Sequence, residues 1–246
     1  MPDIQQINEP ISIERVGDVA LICIDNPPVN ATGQAVRQGL QEAIEVLNAD
    51  AQAKVIAIYA AGRTFVAGAD IREFGKPPMP PALPDVFNVI EDSQTPVISV
   101  LHGTALGGGF ELGLATHARI GIEGLRVGLP EINLGLLPGA GGTQRVPRLA
   151  GIPMALDMAL SGRMVSAREA LEKGLLDRLQ AGAPRDVALA AAAEVLAGTL
   201  PTRRTCDLAT PQDDKALDDT AAMLRAKQAH LVAPHKIVEA GRAAYL

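Results

Sequence analysis

The stretch from His102 to Arg145 constrains this chain more than any other. It opens HGTALGGGFELGLATHARI and closes VGLPEINLGLLPGAGGTQR, and it holds 12 of the chain's 24 glycines. Glycine loses more conformational freedom on folding than any other residue, so crowding it carries an entropic penalty. Such density implies that backbone passes close to something, or that peptide N–H groups must face a ligand. Two glutamates, Glu111 and Glu131, lie twenty positions apart in the same stretch.

The rest of the chain narrows what those residues can do. Its 246 residues suffice for a sizeable core. That core must be aliphatic, because aromatic residues make up 2% of the chain and tryptophan is absent. A net charge of −6 argues against a nucleic-acid partner, which would need a basic face. No apolar run approaches the roughly 18 residues of a membrane span. The polar, acid-bearing N-terminal stretch is unlike a signal or transit peptide. Cys23 and Cys206, far apart in sequence, form neither a disulfide framework nor a metal set, so a reducing, cytoplasmic setting is expected.

Taken in order, Val19–Ile24 reads as a buried strand ending at Asp25-Asn26-Pro27-Pro28. The apolar positions between Gly33 and Asn48 recur at helical spacing, and Lys54–Ala60 is a second strand. Small residues at 67–69 leave backbone bare before Asp70, a candidate helix cap. Five prolines between Pro77 and Pro84 exclude helix and central strand, leaving a surface loop or the mobile wall of a site. Val86–Asp92 is expected as helix and Pro96–Leu101 as strand, after which Gly107–Gly109 open another helix. Arg119–Ile122 and Arg126–Leu129 follow as short strands. Beyond Arg145 helical signals dominate: a capping box at Ser166–Glu169 with Gly174 as a stop, an alanine-rich helix from Pro184 to Gly198, and helices over Asp214–Leu231 and His235–Tyr245. Leu175–Leu179 is expected as one last strand. The strand–helix alternation indicates an α/β fold and, taken alone, a doubly wound sheet.

Several common chemistries fail on inspection. No G-x-G-x-x-G can be written through Gly103, Gly107, Gly108, Gly109 and Gly113, although the strand–turn–helix context suits one. GAGGTQR lacks a P-loop lysine, and no G-x-S-x-G is present. The four histidines lack zinc spacing, so no metal is expected, and His102 and His117 read as structural. What remains is unpaired N–H groups at a helix start together with two acids. Were an N–H from Gly107–Gly109 to converge with one from Val66–Ala69, the pair would stabilise a carbonyl oxygen gaining negative charge. Two carboxyls nearby could then act as general acid and base. Spacing alone leaves open a plain packing bend with both glutamates on the surface.

At these residues the chain resembles the enoyl-CoA hydratase/isomerase (crotonase) superfamily. The resemblance rests on Asn26-Pro27-Pro28-Val29-Asn30-Ala31, on Ala67-Gly68-Ala69-Asp70-Ile71, on His102-Gly103 through Leu112, and on Leu129-Pro130-Glu131 through Arg145. It implies a crotonase spiral of ββα units over residues 1–200, in place of the doubly wound sheet. It also implies a helical C-terminal region, 201–246, that forms homotrimers, often paired into hexamers. By the same resemblance the amides of Ala69 and Gly108 would form an oxyanion hole for an acyl-CoA thioester. Glu131 would exchange the proton at C2, and Glu111 would hold and activate the water that adds at C3. Backbone at Val29, Ala31, Ala67 and Gly68 would hold the coenzyme A moiety, and Gly139 would line the water site. Coenzyme A enters as part of the substrate, so no separate cofactor is implied.

The NPPVNAT segment and the proline-rich loop are most similar to the N-terminal hydratase part of multifunctional β-oxidation enzymes. With no Rossmann motif in the chain, no dehydrogenase is expected. The expected activity is hydration of a trans-2-enoyl-CoA. The alternatives are a Δ3,Δ2-enoyl-CoA isomerase or another reaction through the same enolate, and a non-catalytic acyl-CoA-binding subunit.

Overall fold

Period-two patterning sorts the strands' side chains between two cores. In the computed structural model, which describes residues 3–245, the chain runs β1 (Asp3–Gln6), β2 (Ile11–Val16), β3 (Val19–Ile24), α1 (Gln34–Asn48), β4 (Val55–Ala60), α2 (Leu83–Glu91), β5 (Val97–Leu101), β6 (Thr104–Leu106) and α3 (Gly108–Ala115). It continues through β7 (Ala118–Ile122), β8 (Arg126–Gly128), α4 (Gly142–Ser161), β9 (Met164–Ser166), α5 (Ala167–Glu172), β10 (Arg178–Gln180), α6 (Pro184–Leu196), α7 (Asp214–Lys227) and α8 (Val232–Ala243). Along β3 and β4, Ala20, Ile22, Ile24, Ile56, Ile58 and Ala60 enter the larger core, which also takes the apolar face of α1. Val19, Leu21, Val55 and Ala57 face the other way, into a core closed by Val187, Ala188, Ala191 and Ala192 of α6. Strands buried on both faces read as continuous apolar runs, which is why VALICI and VIAIYA stand out in the sequence.

The sheet order is β1-β2-β3-β4-β5-β7-β10, parallel from β3 to β10. Strands are added in one direction only, so the switch point of a doubly wound sheet is missing, and the alternation-based expectation gives way. From β5 to β8, consecutive strands instead alternate between this sheet and a second one, β6-β8-β9. Thus β5 and β6 precede α3, and β7 and β8 precede α4. The turn before these has the same plan, since β4 is followed by Val66, which bridges Ala105 of β6, and then by α2. This is a spiral of ββα turns.

Three local expectations shift. The final strand begins at Arg178 rather than Leu175; Leu175 and Leu176 are core, and the Asp177 carboxylate pairs with buried Arg119 and with Arg203. The helix expected over Asp214–Leu231 stops at Lys227, and the last helix starts at Val232. Edge strand β1 and its neighbour β2 lie in the stretch read only as polar; Ile11 and Ile13 are buried there, alternating with Ser12 and Glu14. After Pro201, α7 and α8 pack on α4 through Leu217, Leu224, Ile237 and Val238 against Ile152 and Leu156. Among the described residues, no helix is long and apolar enough to cross a membrane.

Candidate active site

Three loops meet where the two sheets face each other. The first, after β3, is held by Asn30, a buried residue at φ +53°, a conformation that asparagine tolerates better than most. Its Nδ2 donates to the carbonyls of Ala61 and Thr64, both at 2.9 Å, and its Oδ1 accepts from the Asn26 amide at 2.8 Å. The second loop follows β4. The Ala67 amide donates to the Val29 carbonyl at 3.1 Å, and the Gly68 carbonyl accepts from the Thr32 amide and hydroxyl at 2.9 and 3.2 Å. The third loop is Gly107, between β6 and α3.

Two peptide orientations follow. A trans peptide points its C=O and N–H in opposite directions. With the Gly68 carbonyl turned to Thr32, the Ala69 N–H faces away from it. The Gly107 carbonyl accepts from the Phe110 and Glu111 amides inside the helix, so the Gly108 N–H points out of the helix start. Neither N–H has an acceptor among the described residues. The Val66–Ala105 bridge, reinforced by the Leu106 amide donating to the Val66 carbonyl at 3.1 Å, sets the two arms side by side. A Cβ placed on Gly108 would lie 3.7 Å from the Ala69 nitrogen. Two unpaired donors converging at a helix N-terminus suit an oxygen that gains negative charge.

Both carboxyls open into the same pocket of about 380 Å³, which Ala67, Gly68, Ala69, Gly107, Gly108, Glu111, Glu131, Gly139 and Ala140 also line. Glu111, one turn into α3 and 2% exposed, receives the amides of Ala140 and Gly142 on Oε1 at 2.9 and 2.8 Å. Burial raises its pKa, while the two N–H groups and nearby Arg145 act in the opposite sense. Glu131 sits in the short helix Pro130–Leu134, half-buried, with Oε2 buried and without a partner. Burial, with the Glu111 charge second, pushes Glu131 up to about 7. Both carboxyls are therefore raised, but at Glu111 two N–H donors and Arg145 offset part of the effect of burial, whereas Glu131 Oε2 has no partner, so their environments differ. Gly107 makes room for this, since a Cβ there would lie 2.9 Å from Glu131 Oε1, and its φ of +51° is one that side chains rarely adopt.

Val29 and Ala31 are not among the residues that line this pocket. The Val29 side chain is exposed and its carbonyl braces Ala67; the Ala31 carbonyl accepts from Asn26 Nδ2 at 2.9 Å. Sequence reasoning passed over the apolar walls, Ile71, Phe74, Leu83, Leu134, Leu136 and Leu137. These lie mostly on irregular segments, where no periodicity flags them. Ile71, Phe74, Leu134 and Leu136 are exposed, so the mouth is an apolar rim. The proline-rich loop is a wall of an adjoining cavity of about 550 Å³ that shares Ala69, Phe74 and Leu83 with the first. Buried Arg37 of α1 pins it, donating to the carbonyls of Pro81 (2.7 Å), Met79 (2.9 Å) and Thr32 (3.0 Å) and to Glu73 Oε2 (2.7 Å). Both inner histidines bond backbone: His102 Nε2 lies 3.2 Å from the Gly62 carbonyl, and His117 bridges the Val97 amide and the Glu91 carbonyl.

A family model described as "Enoyl-CoA hydratase/isomerase" matches residues 14–232. A peroxisomal bifunctional enzyme of Danio rerio is 42% identical over 231 residues, covering 93% of this chain and 32% of that protein. The chain thus spans about a third of that relative's length. A probable enoyl-CoA hydratase of Bacillus subtilis (strain 168) is 41% identical over 165 residues, 64% of each protein. Among solved structures, Pseudomonas aeruginosa DspI superposes with a TM-score of 0.73 at 30% identity, over 96% of this chain and 93% of that one. The ββα spiral is accordingly the crotonase fold, and the chain belongs to the enoyl-CoA hydratase/isomerase family.

Proposed function

We propose that the chain is a trans-2-enoyl-CoA hydratase acting in fatty acid β-oxidation. The observation that carries this reading is the convergence of two unpaired amides and two differently held carboxyls on one pocket with apolar walls. The thioester oxygen of the substrate accepts from the Ala69 and Gly108 N–H groups, which stabilise it as negative charge develops. Glu111, as carboxylate, takes a proton from the water whose oxygen bonds to C3. The C2–C3 double bond becomes an enolate on the thioester, and Glu131, as acid, delivers a proton to C2. Glu111 ends protonated and Glu131 ionised, and exchange of that one proton with solvent resets the site; the sum is water added across C2–C3, so nothing is oxidised or reduced. The apolar rim receives the acyl chain, the Val29–Ala31 and Ala67–Gly68 backbone holds the coenzyme A moiety, and Gly139 borders the water.

The direct test is decay of the enoyl thioester absorbance with crotonyl-CoA, extended to longer chains and to 3-enoyl substrates. Hydration is expected to weaken as pH rises through about 7, because Glu131 must carry its proton to donate it. Dehydration of the 3-hydroxyacyl-CoA should weaken over the same range, since it starts from a site holding the same single proton, on Glu111 instead of Glu131, and the overall reaction neither takes up nor releases a proton. No decay at high enzyme concentration, together with tight acyl-CoA binding, would favour a non-catalytic binding subunit. Turnover of 3-enoyl substrates alone would favour the isomerase.

The exposed Met223, Leu231 and Val232 on and beside α7 and α8 support a homotrimer, or a dimer of trimers, built on the C-terminal helices. Light scattering that gives a monomer would remove that part. The two free thiols fit a reducing, cytoplasmic setting.

A further inference from the structure

Glu111 is aimed by a turn that is itself held from behind. Its Oε1 accepts from Ala140 and Gly142, the N–H groups of the peptides 139–140 and 141–142. The peptide between them, 140–141, points its carbonyl the other way, to Arg145 Nη1 at 3.0 Å. Three consecutive peptides therefore alternate, and fixing the middle one fixes both donors of Glu111. Gly141, at φ +103°, would otherwise leave this turn free to rotate. A Cβ on Gly141 would fall 2.1 Å from Arg145 Nη1, so the guanidinium packs directly on bare backbone.

Arg145 is in turn fixed by Glu91 at the end of α2. Its Nε and Nη2 donate to Glu91 Oε2 at 3.2 and 2.7 Å, and Glu91 Oε1 accepts the Cys206 amide at 2.9 Å. Both residues are buried, Glu91 at 4% and Arg145 at 6% exposure. Two guanidinium N–H groups converging on one carboxylate oxygen, whose second oxygen is held by a backbone amide, set an orientation as well as a distance, which a lone point charge does not.

We propose that the buried Glu91–Arg145 pair is a positioning device for Glu111, acting through the Ala140–Gly142 turn. This rests on the reading that Glu111 activates the water. Neither residue lines the pocket in which Glu111 and Glu131 meet; beyond the Arg145 charge, which favours the Glu111 carboxylate, the pair acts through the turn. Displacing a reacting group by about 1 Å can cost about 100-fold in rate, and the proposal predicts a loss of that kind confined to steps that use Glu111.

The test is a double-mutant cycle on crotonyl-CoA hydration. Arg145→Met should lower kcat by about 10- to 100-fold with KM nearly unchanged, and Arg145→Lys, which keeps a cation and a donor, should restore part of the loss. In a Glu111→Gln background the same Arg145→Met change should cost little more, because the group it aims is already disabled. Glu91→Gln, a smaller perturbation, carries the same cycle if Arg145→Met does not fold. An equal fall in kcat with and without Glu111, or an unchanged kcat in a folded Arg145→Met, would overturn the proposal. Absence of turnover by the unaltered chain would instead remove the hydratase reading, and this inference with it.

Discussion

Glu131→Gln is expected to abolish both hydration of a 2-enoyl-CoA and any 3-enoyl to 2-enoyl isomerisation, with kcat falling by about 10²- to 10⁴-fold. Glu111→Gln should lower hydration by about 10²- to 10⁴-fold, to a measurable residual rate, and spare isomerisation. The asymmetry follows from chemistry. Both reactions move a proton at C2, whereas only hydration needs a water activated at C3. Steady-state assays on a 2-enoyl and a 3-enoyl substrate separate the two, and equal loss of isomerisation in both variants would overturn the assignment. Stability should change as well. Glu131 titrates near 7 in the fold against 4.5 for an ordinary glutamate, so between those values the folded chain holds more proton than the unfolded one. Its stability therefore falls as pH rises from about 4.5 through 7, where charge must be buried. Gln carries no charge, so Glu131→Gln should raise Tm relative to the parent more at pH 8 than at pH 5. Thermal melts at the two pH values check this.

Gly109→Ala should reduce hydration and isomerisation together, by about 10²- to 10³-fold, the usual cost of losing one donor to a developing oxyanion. A Cβ there would fall 2.1 Å from the Val66 carbonyl oxygen and 2.7 Å from its Cβ. Backbone must shift to admit it, at about 1–3 kcal/mol of stability. The shift falls between the two arms that the Val66–Ala105 bridge holds together, so the Ala69 and Gly108 N–H groups would separate. Loss of both activities by similar factors distinguishes this from damage to either carboxyl. Parental kcat in a folded Gly109→Ala would show that these two arms do not serve the thioester oxygen.

Legibility in the sequence tracked how local each determinant is. Strands β3 and β4 were readable because they are apolar on both faces, and α1 because its buried positions recur every three to four residues. The start of α3 at Gly108 was marked by its glycines. Strand β2 carried a usable sign, Ile11 and Ile13 alternating with polar neighbours, that a reading for polarity alone passes over. The pocket walls carried no sign. Ile71, Phe74, Leu134 and Leu136 sit singly on short irregular segments, and only the fold gathers them into a rim. The proline-rich loop could not be assigned between plain surface and wall, because what decides it is a buried arginine some forty residues earlier, Arg37, whose contacts beyond Thr32 are with distant backbone and Glu73.

By itself the sequence determined the chemical groups available and the local elements that carry them. It placed a glutamate one turn into a glycine-started helix, a second after a proline, and bare backbone at 67–69. Through its resemblance to a known family it also indicated the spiral rather than a doubly wound sheet. Only the tertiary structure brought Ala69 and Gly108, thirty-nine residues apart, side by side on one pocket, because one bridge between Val66 and Ala105 sets them together and no local pattern encodes a single long-range pairing. Only the tertiary structure, too, made the two glutamates unequal. In sequence they are the same residue; in the fold Glu111 receives two N–H donors while Glu131 Oε2 receives none, and proton affinity is set by such partners and by burial, not by residue type.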